Sequence, residues 1–509
     1  MSEQATTKPR IETGLAILAG FALLKLTIHL TYNRWYGFHQ DEFYFLACGN
    51  HLSFGYVDHP PLVPWIARIA QETIGDSLPA VRFASAVFGA AGLFLTGLTA
   101  RRLGGGAFAQ AIACLAYLIA PVYLRSGNIL SIPSFEPFYW ILCCYLIVCI
   151  VQDNNPKLWL WVGVVAGLGL MNKHTMAFFG VGLAAGIVLT PLRQHLKSPY
   201  LWGGGAIAFL IFLPNLIWQY MNDWPTLEFI RQLNAGTMSK ISLPEFLIGQ
   251  ILYLHPANVF VWISGLIFFL FTQAGRPFRV FGWIYVVVFL LLVVAKSKIY
   301  YLAPAYAILF AGGAVALECW LRNKPWRMLR PVLAAVMVIV GGAFAALSLP
   351  IMNINATDRY IQVITMGAIK NAFEVTGDLH AMFGWKEMVD GVAQAYAKLT
   401  PEEKEKAFLY GRSYSFAGAI DYYGPELGLP KAYSSHLTYW MWGPPSDDKT
   451  IMIAAGVSPE RLKESFESVE VVCTVNPEHG LRSLRNQPIA ICRNSHYVPS
   501  KYWPMIRSW

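Results

Sequence analysis

Apolar windows of roughly 18–22 residues constrain this chain more than any other feature, because a helix of that length crosses the ~30 Å hydrocarbon core of a bilayer. Lipid offers no water to an unpaired backbone N–H or C=O, so each such window is expected as helix. About eleven spans are expected, near 13–31, 79–100, 108–125, 135–151, 158–172, 175–190, 200–218, 247–270, 280–296, 300–318 and 331–349. Of the 509 residues 55% are hydrophobic and 14% charged, where a soluble domain carries about a quarter charged residues. The expected fold is therefore a polytopic α-helical membrane protein.

Charge placement orients it. Lys8 and Arg10 precede the first span, and Arg101-Arg102, Lys157, Arg193/Lys197, Arg276/Arg279 and Arg322 to Arg330 fall on alternate connections. The positive-inside rule puts these and the N-terminus in the cytoplasm, and an odd number of spans puts residues 350–509 outside. The +9 net charge sits mostly in that belt, facing anionic lipid, so it implies no nucleic-acid partner. Residues 13–31 lack a small-residue cleavage site, and no cleavable signal peptide is expected.

The first outer loop, 32–78, carries His39-Gln40-Asp41-Glu42-Phe43-Tyr44 and then Gly55-Tyr56-Val57-Asp58-His59-Pro60-Pro61. Carboxylates and histidines are costly to hold dry, so this cluster is expected at a polar cavity or the water interface. Asp41 opens it and is the candidate general base; the alternative is that Asp41 caps a short helix beginning at Glu42. Lys296-Ser297-Lys298-Ile299-Tyr300-Tyr301 lies on the outer side, where lysine is disfavoured. An anionic lipid headgroup accounts for it, as do snorkelling lysines in an aromatic belt. Lys173 and His174 occupy another outer turn, Arg125 and Glu136 flank an outer loop and are candidates to pair, and the stretch 219–246 is long enough for a lid.

The tail reads as a different material. A helix start at Pro401, a strand at Ala407–Gly411, a helix at Ser415–Tyr423, a strand at Thr450–Ala455 and further strands at Val469–Val475 and Pro488–Cys492 suggest a small α/β domain of mostly parallel sheet. Gly411 to Ser415 joins a strand to a helix and is either an anion-receiving turn or an ordinary one. Cys473 and Cys492 form a disulfide if the compartment oxidises them; the sequence leaves both states open.

Asp41-Glu42-x-Tyr44 with Gly55-Tyr56-x-Asp58-His59-Pro60-Pro61-Leu62 resembles the first outer loop of bacterial membrane glycosyltransferases of the GT-C type. The nearest group is similar to dolichyl-phosphate-mannose protein mannosyltransferases and to the aminoarabinose transferase of lipid A. The resemblance continues through Gly167 to Thr175, Ala295 to Pro304, Gly418 to Gly424 and Tyr439 to Pro444. It implies a transmembrane catalytic domain over 1–349 and an extracytoplasmic α/β domain over 350–509, in the bacterial inner membrane. It also implies transfer of a sugar from a polyprenyl-phosphate donor to an acceptor hydroxyl of lipid, glycan or protein on the outer face.

By this resemblance Asp41 is the base and Glu42 orients the acceptor or braces Asp41. Lys298 and Tyr301 stand near the donor phosphate, and Lys173 and His59 are candidates to join them. Asp58 and His255 match positions that hold a divalent metal (zinc, magnesium or manganese), although His59 replaces a lysine of the lipid A enzyme. The other reading of Asp58 to Pro61 is a rigid turn. Transfer of a whole oligosaccharide from a diphosphate-linked donor, or transport of a lipid-linked sugar, are the alternative functions.

Overall fold

The computed structural model describes residues 8–235, 241–322, 324–367 and 373–509. The chain divides into two compact units. One joins Met1–Asn33, Pro79–Trp218 and Met238–Ile351; the other joins Arg34–Leu78, Gln219–Thr237 and Met352–Trp509. The first outer loop, allotted above to the transmembrane part, thus packs with the tail instead.

The first unit is helical. Among the described residues, seven helices are long and apolar enough to cross a membrane: Gly14–Tyr32, Leu78–Arg102, Ile132–Asp153, Pro199–Met221, Arg276–Val294, Ile299–Trp320 and Pro325–Ala345. Two helix pairs are bent, Met176–Leu189 with Pro191–Lys197 by 103° and Leu243–Leu254 with Pro256–Phe271 by 94°, and Ala107–Ile119 and Leu158–Asn172 are shorter apolar helices. Among the described residues these make seven candidate crossings by length and composition, or nine with each bent pair taken as one, beside the two shorter apolar helices, where about eleven spans were expected.

Proline explains two of the differences, since it lacks an N–H and clashes with the preceding turn. The expected span 108–125 stops at Ile119 and restarts as the short helix Pro121–Ser126. The expected span 247–270 breaks at His255-Pro256, where His255 takes φ +82° and its Nδ1 accepts the Ala257 N–H at 3.1 Å. Small residues let neighbouring helices meet at their backbones: a Cβ on Gly265 or Gly313 would run into the carbonyls of Leu309 or Val261.

The second unit is built on a five-stranded sheet of β1 (Ala407–Gly411), β2 (Ala432–Tyr433), β3 (Ile451–Ala455), β4 (Phe466–Val475) and β5 (Gln487–Ser495), in the order β2-β1-β3-β5-β4. The β2-β1-β3 half is parallel, as expected, and the β3-β5-β4 half is antiparallel. Met452, Ala454, Leu462, Phe466, Ala490 and Cys492 form one buried core of the sheet. Cys473 pairs with Ile489 and Cys492 with Val469, so the two thiols stand on different rungs and both are free. The register excludes the disulfide.

The helix Tyr414–Tyr423 follows β1 and packs against the helix Gln40–Asn50 of the first outer loop. Gly418 makes this approach close, since a Cβ there would stand 2.9 Å from the Phe43 Cβ and 3.1 Å from its carbonyl carbon. In the stretch considered as a lid, a helix spans Pro225–Ala235. Lys240 lies outside the described residues.

Candidate active site

Asp41 lies in the first turn of the helix Gln40–Asn50, but it does not cap it. His39 is the N-cap: its Nδ1 accepts the Asp41 N–H at 3.2 Å, and its own N–H donates to Glu42 Oε2 at 2.7 Å. The box satisfies orphan donors at both ends, so the helix begins two residues before Glu42 and the Asp41 carboxylate is left unspent. Glu42 is fully buried, and its carboxylate accepts the His39 N–H within this box.

Asp41 Oδ1 accepts the Tyr414 hydroxyl at 2.7 Å, Oδ2 stands 3.8 Å from His39 Nδ1, and 37% of the side chain is exposed. The helix N-terminus favours a negative charge there. The result is a held, solvent-accessible carboxylate, the arrangement a general base requires.

A second carboxylate is held in parallel fashion. Tyr44 donates to Asp58 Oδ1 at 2.8 Å, and the Thr438 hydroxyl lies 2.7 Å from the Tyr44 oxygen. Thr438 Oγ1 in turn accepts the Val57 N–H at 3.1 Å. Since the Tyr44 proton is given to Asp58, its oxygen takes the Thr438 proton, and the relay runs one way from Val57 to Asp58. The Tyr44 and Tyr414 rings lie 4.7 Å apart, and Tyr414 stacks on His436 at 5.2 Å. Burial, with the charges of Asp41 and Asp58, pushes both phenols well above the ordinary tyrosine value, so they serve as neutral donors.

His59 is enclosed in its own turn. It is fully buried among Tyr44, Phe45 and Tyr56, its Nδ1 is 2.8 Å from the Pro60 carbonyl, and its Nε2 is enclosed 3.9 Å from Asp58 Oδ1. This is the rigid-turn reading of Asp58 to Pro61. Asp58 belongs to the second unit and His255 to the first, and among the described residues no group of three or more His, Cys, Asp or Glu is placed to hold an ion.

In the first unit Lys173 Nζ donates to Glu136 Oε2 at 2.9 Å and lies over the rings of Tyr301 at 4.2 Å and Tyr300 at 5.2 Å. Thr175 donates to the other Glu136 oxygen. Lys173 and Tyr301, separate expectations from sequence, therefore stand together, and Glu136 pairs with Lys173. Lys298, partly buried, N-caps the 3-10 turn Ile299–Ala305 and forms no ion pair among the described residues.

Sequence reasoning singled out neither Tyr44 nor Tyr414, Thr438 and His436 for the site. The tail residues are close to 400 positions from the loop, and nothing local signals the contact. It also passed over Lys25 and His29, both fully buried in the first span, with Lys25 Nζ 3.2 Å from His29 Nε2 and donating to the Tyr123 carbonyl at 3.0 Å. Their spacing of four on one helix face was the available signal.

Comparison with known proteins adds the following. Residues 58–218 match the family model of dolichyl-phosphate-mannose-protein mannosyltransferase. Two proteins named undecaprenyl phosphate-alpha-4-amino-4-deoxy-L-arabinose arabinosyl transferase 1, from Pseudomonas fluorescens strains Pf-5 and Pf0-1, are 27% identical over 176 residues and 30% identical over 128 residues. The matches cover 33% and 24% of this chain, and they span about a third or less of the relatives' length, 32% and 22%. The crystal structure of ArnT from Cupriavidus metallidurans in the apo state aligns over 94% of this chain and 97% of that one, at 17% identity and TM-score 0.61. The form of that protein bound to undecaprenyl phosphate aligns over the same shares at 18% identity and TM-score 0.60. The chain has the fold of ArnT, that of a GT-C polytopic membrane protein with a small C-terminal sheet domain.

Proposed function

We propose that this chain is a membrane glycosyltransferase that moves a sugar from a polyprenyl-phosphate donor to an acceptor hydroxyl, with Asp41 as general base. The observation that carries the reading is the Asp41 carboxylate, held at one oxygen by Tyr414, released from capping by His39, and accessible to solvent. A hydroxyl is a weak nucleophile, and a positioned carboxylate that takes its proton as the new bond forms contributes about 10²–10⁴-fold. The names of the curated relatives and the lipid in the ArnT complex support the donor class.

Lys173, Lys298 and Tyr301 are the proposed partners of the donor phosphate. Two ammonium groups and a phenol meet the charge that develops on the leaving phosphate. Glu136 holds Lys173 in place through an ion pair, so the lysine is aligned before a donor arrives. Asp58, fixed by Tyr44 and Thr438, orients the polar substrate groups beside Asp41. A cytoplasmic N-terminus and an extracytoplasmic second unit complete the proposal, following the alternation of basic connections.

The test is a reconstituted assay of the purified protein with radiolabelled polyprenyl-phosphate sugars. Transfer from one of them supports the class and names the donor. Consumption only of a diphosphate-linked oligosaccharide, or movement of lipid-linked sugar across the bilayer without transfer, would replace the proposal.

A further inference from the structure

We propose that the tail is part of the catalytic apparatus, and that Tyr414 is the positioning residue for the Asp41 carboxylate. The inference rests on the proposed role of Asp41 and adds to it a function for residues 352–509. Those residues and the loop 34–78 form one compact unit, so their contacts are those of a single packed body.

Asp41 is partly exposed on the first turn, where a two-bond side chain would otherwise sample several rotamers. Tyr414 removes that freedom. Its hydroxyl donates to Oδ1 at 2.7 Å, and the phenol is itself fixed between the Tyr44 ring at 4.7 Å and the His436 ring at 5.2 Å, parallel to the latter within 10°. The segment that carries His436 and Thr438 is tied down further on: the Leu437 N–H donates to the Ser508 carbonyl at 2.9 Å, and the Ser508 N–H donates to the Ser435 carbonyl at 3.0 Å.

A carboxylate only accepts, and with Oδ1 committed to Tyr414 the lone pairs of Oδ2 are directed to an incoming hydroxyl. This is preorganisation of the reacting group, realised before substrate binds. The other titratable groups facing Asp41 are His39, 3.8 Å from Oδ2, and Glu42 on the same helix; His436 and Asp58 lie behind Tyr414 and Tyr44.

Tyr414→Phe keeps the ring stack and deletes the one hydrogen bond. A hydrogen bond to a charged group is worth about 1.5–3 kcal/mol, so kcat is expected to fall about 10- to 100-fold. The KM for donor and the melting temperature stay at wild-type values. In Asp41→Asn the same tyrosine change should cost nothing further.

Wild-type kcat in Tyr414→Phe, with Asp41→Asn inactive, would overturn this inference alone. A fall in kcat matched by a fall in melting temperature would overturn it too, since Tyr414 would then be packing only. Wild-type activity in Asp41→Asn would instead remove the base assignment on which both stand.

Discussion

Asp421 offers a quantitative test of how the tail is held around the site. Its carboxylate is packed between β2 and the loop after it, accepting the Ala432 N–H at 2.8 Å and the Tyr439 hydroxyl at 2.7 Å. Burial outweighs these bonds and pushes the group from 3.8 up to about 6. The folded state therefore keeps its proton up to about pH 6, while the unfolded chain releases it near 3.8. Folding takes up protons between those values, so stability is fully present below the lower one and falls as the pH rises through the window. Two pKa units at 1.36 kcal/mol each put the loss at about 3 kcal/mol by pH 7.

Asp421→Asn removes the titration and retains both contacts, because the amide oxygen still accepts from Ala432 and the amide N–H can donate to the Tyr439 oxygen. Melting temperature in detergent, followed from pH 4 to pH 8, is the assay. The variant should match the wild type near pH 4 and exceed it at pH 7.5, with the wild-type slope between pH 4 and 6 flattened. A variant less stable than wild type by the same margin at every pH would refute the reasoning, since the hydrogen bonds of the carboxylate would then outweigh its burial.

Gly418→Val sets two methyls and a Cβ against the Phe43 backbone, at a site where the Cβ alone is already too close. It should cost about 1–3 kcal/mol by overpacking and separate the helix carrying Tyr414 from the one carrying Asp41. Lowered melting temperature together with lost turnover checks this. Lys298→Ala should raise the donor KM and lower kcat, since the ammonium would meet the phosphate before transfer and the added charge during it; an unchanged KM and rate would remove it from the site.

The sequence made the apolar spans legible because lipid imposes one backbone solution on a window of that length. It made β1 and β3 legible because short β-rich runs bounded by turns leave little choice. Both broken spans turn on a proline, at Pro121 and Pro256, that hydropathy averages across. The sheet could not be read as half antiparallel, because β4 and β5 pair through a register that only tertiary packing sets, and the same register parts Cys473 from Cys492. Asp41 was found from local pattern, yet its capping role was wrongly weighed: histidine at position 39 fills a place where Asp or Asn is the usual choice. Tyr44 stood in the quoted loop motif without its bond to Asp58 being read, whereas Tyr414 carried no local signal, since it meets Asp41 across 373 residues of chain.

The most direct measurement is turnover of the labelled donor by Asp41→Asn beside wild type, with melting temperature recorded on the same preparations. The account predicts a folded variant of wild-type stability whose rate is lower by two orders of magnitude or more, on the order expected for loss of a general base. Wild-type turnover in that variant would contradict it.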